Sequence, residues 1–358
     1  MSSPGRARTL AEVYRHFGEV EAGAGSPMYG RVAVAFSESA AALAAISTVP
    51  AHKRQPALIL AALHDLALAG QAPALAEAYA AGDDDTAVEA AIDTMVNRTE
   101  VVVALVARRT VRTTETARCA VLYPAIAEAA HRAGAQAVGL IDVGSGAGLN
   151  VQVDRVGVDY SSGVSAGDPT SPVQVSCSVV GHTPVPTRPV PEVASRVVVD
   201  RDPIDVTRAD DARWMRACVA PDQPERAARL EAELALASEA PPTVLRGDAL
   251  ALLPAAIDLV PTGVLPVVIT TWALSRFSGD RRLRFRQGLH DAGAERTVVW
   301  VSAEGVGVAP GIPTLGDRPA SGHSIIGLGV FEGSDRRTEA VGRCWSRGRL
   351  LSWLAASD

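Results

Sequence analysis

Partway along the chain the hydrophobic period changes, and no fold of a single secondary-structure type accommodates both halves. From Leu10 to Arg109 apolar residues recur at helical spacing, in Val32–Ala45, Ala57–Ala69 and Asp84–Ala107, within a background of Ala and Leu. Beyond residue 112, short β-branched runs at Val138–Val143, Val197–Val199, Thr243–Leu245, Val267–Thr271 and Thr297–Ser302 take over. Helix-like stretches at Ala209–Ala220, Pro224–Ser238 and Asp280–Ala292 separate them, and such alternation predicts a parallel sheet covered by helices. The chain therefore reads as an all-helical N-terminal domain, residues 1–112, followed by an α/β domain, residues 113–358. With 358 residues and 47% hydrophobic content, it has enough apolar material for two cores.

Turn and cap chemistry refines this division. Gly23–Pro27, Pro50, Gly70–Pro73 and Gly82–Asp85 punctuate the helical half. Thr113 and Thr114 are placed to cap a helix that starts near Glu115 and stops at Gly134. Ile325–Phe331 and Val341–Leu351 flank a Gly333–Asp335 turn and predict a closing antiparallel hairpin. Two segments interrupt the α/β rhythm. Residues 151–191, rich in Pro, Ser and Val, read as inserted strands, and the Gly305–Gly322 loop reads as cover for a pocket mouth.

Charge and cysteine usage narrow the function. A net charge of -6, from 34 basic and 40 acidic residues that are interspersed, offers no basic field for a polyanion, so nucleic acid is not the expected partner. Cys119, Cys177, Cys218 and Cys344 have no paired spacing, and the histidines have no metal-ligand spacing, so neither a disulfide framework nor a catalytic metal is expected. No apolar run has signal-peptide or membrane-spanning form, which makes a cytoplasmic protein without a membrane partner the expectation.

The most informative motif is Leu140-Ile141-Asp142-Val143-Gly144-Ser145-Gly146-Ala147-Gly148-Leu149-Asn150. A buried strand ends in an acid, glycines permit a tight turn and close backbone approach, and a helix is expected to follow with free N–H groups that favour an anion. Asp200 closes the run Val197–Val199, and Asp248 follows Thr243–Leu245 within Arg246-Gly247-Asp248. Read singly, each of these two aspartates is a cap; together with the glycine turn they read as a nucleotide-type pocket at strand ends.

In that context the motif resembles the first motif of the class I S-adenosylmethionine-dependent methyltransferases. The resemblance implies a Rossmann-like, mostly parallel sheet ending in an antiparallel hairpin. It also implies S-adenosylmethionine as cofactor, held by Asp142, Gly144, Gly146, Gly148, Asn150, Asp200 for the ribose and Asp248 for the adenine. Two departures stand out. The insertion at 151–191 separates the glycine turn from Asp200, and the fourth strand is followed by Thr270-Thr271-Trp272-Ala273-Leu274-Ser275-Arg276 in place of an Asn-Pro-Pro-Tyr type motif. Nearly the whole chain also resembles a bacterial domain family of unassigned function, frequent in high-GC genomes. The matching pieces include Gln55-Pro56, Thr113-Thr114-Glu115-Thr116-Ala117-Arg118-Cys119, Gly167-Asp168-Pro169, Asp211-Ala212-Arg213-Trp214 and Ser302-Ala303-Glu304-Gly305.

Further candidates for chemistry are His64 and Asp65 on an apolar helix, and Glu115, Arg118 and Tyr123 around the helix feeding the first strand. They would supply a base, an anion clamp and a hydroxyl, or else form interdomain ion pairs. Trp272 and Arg276 after the fourth strand, and Glu304 after the fifth, belong at the ligand-binding edge of a doubly wound sheet. Trp272 reads equally as a packed core residue; Trp300, Trp345 and Trp353 read as core, and the arginines of Arg281–Arg286 as a solvated helix face.

The resulting expectation is an enzyme of specialised, natural-product metabolism that catalyses substitution at carbon on a small molecule, as S-adenosylmethionine-dependent methyl transfer. One alternative keeps the fold without the cofactor: an amine displaces a neighbouring sulfate ester to close an aziridine ring, on a substrate prepared by a partner enzyme. Another is a non-catalytic accessory protein.

Overall fold

The computed structural model describes residues 8–22, 25–112, 116–144 and 146–355. The chain divides into two compact units, Met1–Thr113 with Arg208–Glu231, and Thr114–Thr207 with Ala232–Asp358. A division into residues 1–112 and 113–358 therefore misplaces one segment, because Arg208–Glu231 belongs with the helical unit. The cause is a buried anchor: Trp214 is fully buried and its indole N–H donates to the Thr110 carbonyl at 2.9 Å.

In the helical unit α1 (Leu10–His16) starts with a reciprocal cap, Thr9 and Glu12 each accepting from the other's backbone N–H. The run Val32–Ala45, read as one helix, is two: α2 (Pro27–Glu38) and α3 (Ala40–Ser47). Ser39 divides them, with an extended backbone and a hydroxyl that accepts from Ala42 N at 3.2 Å. Next come α4 (Pro56–Leu68), buried on nearly every side, and α5 (Pro73–Ala81). The single helix expected over Asp84–Ala107 is α6 (Asp84–Asn97) and α7 (Thr99–Arg108), separated at Arg98. The later α9 (Ala209–Ala217) and the first turns of α10 (Pro224–Glu239) complete the unit. No single helix among the described residues is long and apolar enough to cross a membrane.

The second unit opens with α8 (Cys119–Arg132) and β1 (Ala137–Val143). The insertion supplies β2 (Gly157–Tyr160), β3 (Ser165–Gly167) and β4 (Gln174–Val179) before β5 (Glu192–Asp200) and β6 (Thr243–Arg246). Then come α11 (Ala249–Asp258), β7 (Leu265–Thr271), α12 (Gly279–Gly293) and β8 (Val298–Gly305). The chain closes with β9 (Ser324–Glu332), β10 (Asp335–Trp345) and β11 (Leu350–Trp353). The second hairpin arm, read as one strand over Val341–Leu351, is thus broken by a turn at Ser346–Gly348.

Together these strands make one mixed, mostly parallel sheet in the order β3-β2-β4-β11-β10-β9-β8-β7-β1-β5-β6. Its parallel half, β6-β5-β1-β7-β8, winds outward from β1 and then returns to β7. The winding reverses between β1 and β7, where doubly wound sheets bind ligands beyond the carboxyl ends of their strands. Because β9 is antiparallel to both β8 and β10, β10 also ends at that edge. Alternation along β1 places Val138 and Leu140 in the layer with α8, and Ile141 and Val143 in the layer with α11 and α12.

Candidate functional site

The turn after β1 is built as the glycines require: Gly144, Gly146 and Gly148 have φ of +83°, +78° and +68°. The segment after the turn differs from expectation. Leu149–Arg155 is a 3-10 run and not an α-helix, so the turn does not open onto an α-helical N-terminus. Gly148 is demanded by packing, since a Cβ there would lie 2.8 Å from Pro242 Cγ and 3.0 Å from Val198 Cγ2.

On the α11–α12 side of the edge, a cavity of about 180 Å³ is lined by Val143, Gly144, Asp200, Gly247, Arg276 and Arg281. It is smaller than the roughly 300–1,000 Å³ of pockets that enclose drug-sized ligands. Asp200 Oδ1 accepts from Asp202 N at 2.8 Å, a local turn. Asp248 caps α11, accepting from Leu250 N at 2.9 Å, and its other oxygen accepts from Arg201 and from Arg281 Nη2 at 2.6 Å. The Arg201 guanidinium foremost, with Arg281, holds its carboxyl down to about 2. Arg281 and Arg282 are therefore structural partners and not a plain solvated face, Arg282 Nε donating to the Leu274 carbonyl at 2.9 Å. Arg276 Nη2 donates to the Gly144 carbonyl at 2.7 Å and has no carboxylate within ion-pair distance among the described residues.

Beneath this rim lies Glu304, 1% exposed. Its Oε1 accepts from Ala273 N and Leu274 N, each at 3.0 Å, and so fixes the turn that carries Trp272 and Arg276. Its Oε2 is buried and has no hydrogen-bond partner among the described residues. Burial pushes the carboxyl up to about 7, against the two backbone N–H groups and the nearby Arg282 and Arg276.

On the α8 side, Asp142 is fully buried at the end of β1. Thr271, the last residue of β7, accepts from Asn150 Nδ2 at 3.1 Å and from Arg118 Nη1 at 3.3 Å. The Arg118 guanidinium lies 5.0 Å over the Trp272 ring, and Trp272 Nε1 donates to Ser324 Oγ at 2.7 Å. Trp272 itself is held at φ +51°, in the left-handed region that costs a side-chain-bearing residue about 1–3 kcal/mol. The next loop brings His323 Nε2 to 2.9 Å from Asp317 Oδ2, which also accepts from Arg343 Nε at 2.6 Å. The His323 ring is 5.2 Å from that of Trp345, which is only half-buried, unlike Trp300 and Trp353 in the core.

Four residues other than glycine have positive φ among those described: Trp272, Leu315, Ser346 and Arg347. All four lie in connections that leave the carboxyl ends of β7, β8 and β10. Strained backbone concentrates where the surrounding structure over-determines a functional geometry.

The remaining candidates have other partners. Tyr123 is buried in α8, its hydroxyl accepting from Val190 N at 3.3 Å. His64 and Asp65 belong to the helical unit, where Asp65 Oδ1 accepts from Arg213 Nε at 3.0 Å. Glu115, with Thr113 and Thr114, lies outside the described residues. Sequence reasoning does not single out Thr271, Ser324 or the Asp317–His323–Arg343 group; the only signal for the last is a long loop ending in a histidine just before a strand.

A large, mostly parallel sheet covered by helices defines this unit as an α/β protein. More specifically, the chain belongs to a family of uncharacterized proteins conserved in bacteria (DUF2332), whose model matches residues 11–353. No curated protein and no solved structure matches it significantly.

Proposed function

We propose that this protein is an enzyme acting on a small molecule at the carboxyl edge of its sheet, by substitution at carbon within one substrate and without S-adenosylmethionine. The observation that carries the reading is the convergence of Arg118, Asn150, Thr271 and Trp272 at the winding reversal, with Trp272 held at positive φ. Such a group positions a polar substrate and stabilises charge that develops on a departing oxyanion.

The residues that the cofactor would need fit it poorly. Asp200 and Asp248 give their oxygens to local N–H groups and arginines. The cavity beside them is about 180 Å³. At the glycine turn, to which the resemblance assigns the cofactor, the guanidinium of Arg276 donates to the Gly144 carbonyl, and its charge would disfavour a cationic cofactor there. A cation there suits an anion instead.

In the displacement reading, the substrate's amine nitrogen attacks a neighbouring carbon that bears a sulfate ester. The C–N bond forms as the C–O bond breaks, and sulfate leaves with the bonding electron pair. Arg118 and Arg276 steady the leaving anion, and His323, oriented by Asp317, takes the N–H proton. Ring closure of this kind belongs to specialised metabolism, with a partner enzyme installing the sulfate. Methyl transfer stands as the second reading, supported by the β6-β5-β1-β7-β8 order and the glycine turn at its switch point.

Calorimetric titration separates the two. Sulfate binding that is lost in Arg276→Met and Arg118→Met, with no micromolar affinity for S-adenosylmethionine or S-adenosylhomocysteine, is the expected result. Micromolar cofactor binding that disappears in Asp142→Ala and Asp200→Ala would overturn the displacement reading in favour of methyl transfer.

A further inference from the structure

The connection from β10 to β11 does not take the conformation its residues prefer. Three consecutive residues, Ser346, Arg347 and Gly348, have φ of +47°, +57° and +103°. Gly, Asn and Asp adopt such angles readily, and only the last of the three is one of these. Hairpin geometry does not demand the angles either. Trp345 and Leu350 are paired across the two strands, and a two-residue Asn-Gly turn would join strands so paired. Strain that neither propensity nor the ladder explains is held by a contact elsewhere.

That contact is with the short 3-10 turn Thr116–Arg118. Gly348 is buried, and a Cβ on it would lie 2.4 Å from the Ala117 carbonyl oxygen, 2.8 Å from the Ala117 carbonyl carbon and 3.1 Å from Arg118 N. The two backbones therefore touch at the peptide bond that opens Arg118, a closeness that only glycine permits. From there the Arg118 side chain runs to Thr271, at 3.3 Å, and over the Trp272 ring. At the start of the same connection, the Trp345 ring lies against that of His323.

A flexible arginine aims its charge well only where the backbone that carries it is fixed, because groups that position a substrate lose their effect when displaced by about 1 Å. A methyl group at 348 would force a shift of that order, the shortfall from an ordinary C···O contact of about 3.3 Å. We propose that Gly348 is a positioning residue for Arg118: the β10–β11 connection braces the Ala117–Arg118 peptide and so aims the guanidinium at the substrate's anion. The anion rests on the displacement reading above; the brace does not.

Fluorotryptophan incorporated into the full chain gives a fluorine NMR resonance for each of the five tryptophans, and the one missing from Trp272→Phe reports on the Arg118 stack. Gly348→Ala is expected to move this resonance as Arg118→Met does, and to move it no further in an Arg118→Met background. It should also weaken sulfate binding about 10-fold or more, as loss of one hydrogen bond to a charged group dictates. Gly333→Ala, at φ +57° in the β9–β10 turn with nothing within 4 Å of its Cβ, imposes backbone strain without the contact and should change neither readout. If Gly348→Ala does not fold, replacing Ser346–Arg349 with Asn-Gly removes the brace while keeping the strands joined, and the same results are expected. A Trp272 resonance that stays in place, or a shift that persists in full after Arg118→Met, would overturn the proposal. Wild type that binds no sulfate, with the resonance moving as expected, would sink the displacement reading and leave the brace standing.

Discussion

On the α11–α12 side of the sheet's carboxyl edge, Asp200 and Asp248 accept from local backbone N–H groups, and Asp248 also accepts from Arg201 and from Arg281 of α12. On the α8 side, Asn150 and Arg118 reach across from separate segments to one hydroxyl, Thr271, beside a tryptophan at positive φ. Both sides present polar residues at strand ends, the position from which a binding role is inferred. Their partners differ. Asp200 and Asp248 each accept from a backbone N–H two residues away, which their turns explain; no such local bond explains the meeting at Thr271, where the substrate proposed above would sit.

The contrast can be broken in several places. The largest expected effect is at Gly148→Ala, which combines a left-handed φ of +68° with a Cβ 2.8 Å from Pro242. Loss of about 3–4 kcal/mol in urea unfolding would assign this glycine to packing, whereas an unchanged midpoint would return it to the ligand side.

Glu304 comes next, and its sign can be worked out. Its folded pKa of about 7 lies above the ordinary 4.5, so below pH 4.5 both states hold the proton and no penalty exists. As pH rises the unfolded chain ionises first, and stability falls until pH passes 7, by about 3 kcal/mol in all. Wild type should be less stable at pH 8 than at pH 5 by about 2.5 kcal/mol through Glu304, and Glu304→Gln should lack that slope. Parallel slopes in the two proteins would show that the carboxyl is not destabilised by burial.

A smaller effect, about 1 kcal/mol, is expected for Asp248→Ala, from loss of the cap on α11. Smallest is Arg118→Met, within about 0.5–1 kcal/mol of wild type, since its stacking on Trp272 is partly exposed. That variant should nevertheless lose sulfate binding. If it keeps the binding, Arg118 takes no part in the anion site and its contacts with Thr271 and Trp272 are structural.

Much of the frame is legible in the sequence because the parallel strands are continuous β-branched runs: β1 and β7 lie within a residue or two of where Val138–Val143 and Val267–Thr271 place them. The helix α11 is hidden by Pro254 and by its shortness. The 3-10 run after the glycine turn reads as helix from its apolar residues, although Val151 and Val153 are β-branched and disfavour an α-helix. Arg118, Asn150 and Trp272 can be placed because they flank predicted elements. Pairing Asp317 with Arg343 cannot be read, since nothing local links a loop aspartate to the far end of a hairpin.

The helical unit is assembled from two stretches of chain, Met1–Thr113 and Arg208–Glu231. During synthesis its first seven helices therefore emerge before the Trp214 anchor exists. At about 5–20 residues per second, the ribosome takes roughly 6–24 s to deliver Glu231 after Thr113. For that interval the surfaces of α4 and α5 that α9 and α10 will cover stay bare to solvent, a window in which a nascent-chain chaperone would find its substrate and a truncated transcript would leave an insoluble fragment.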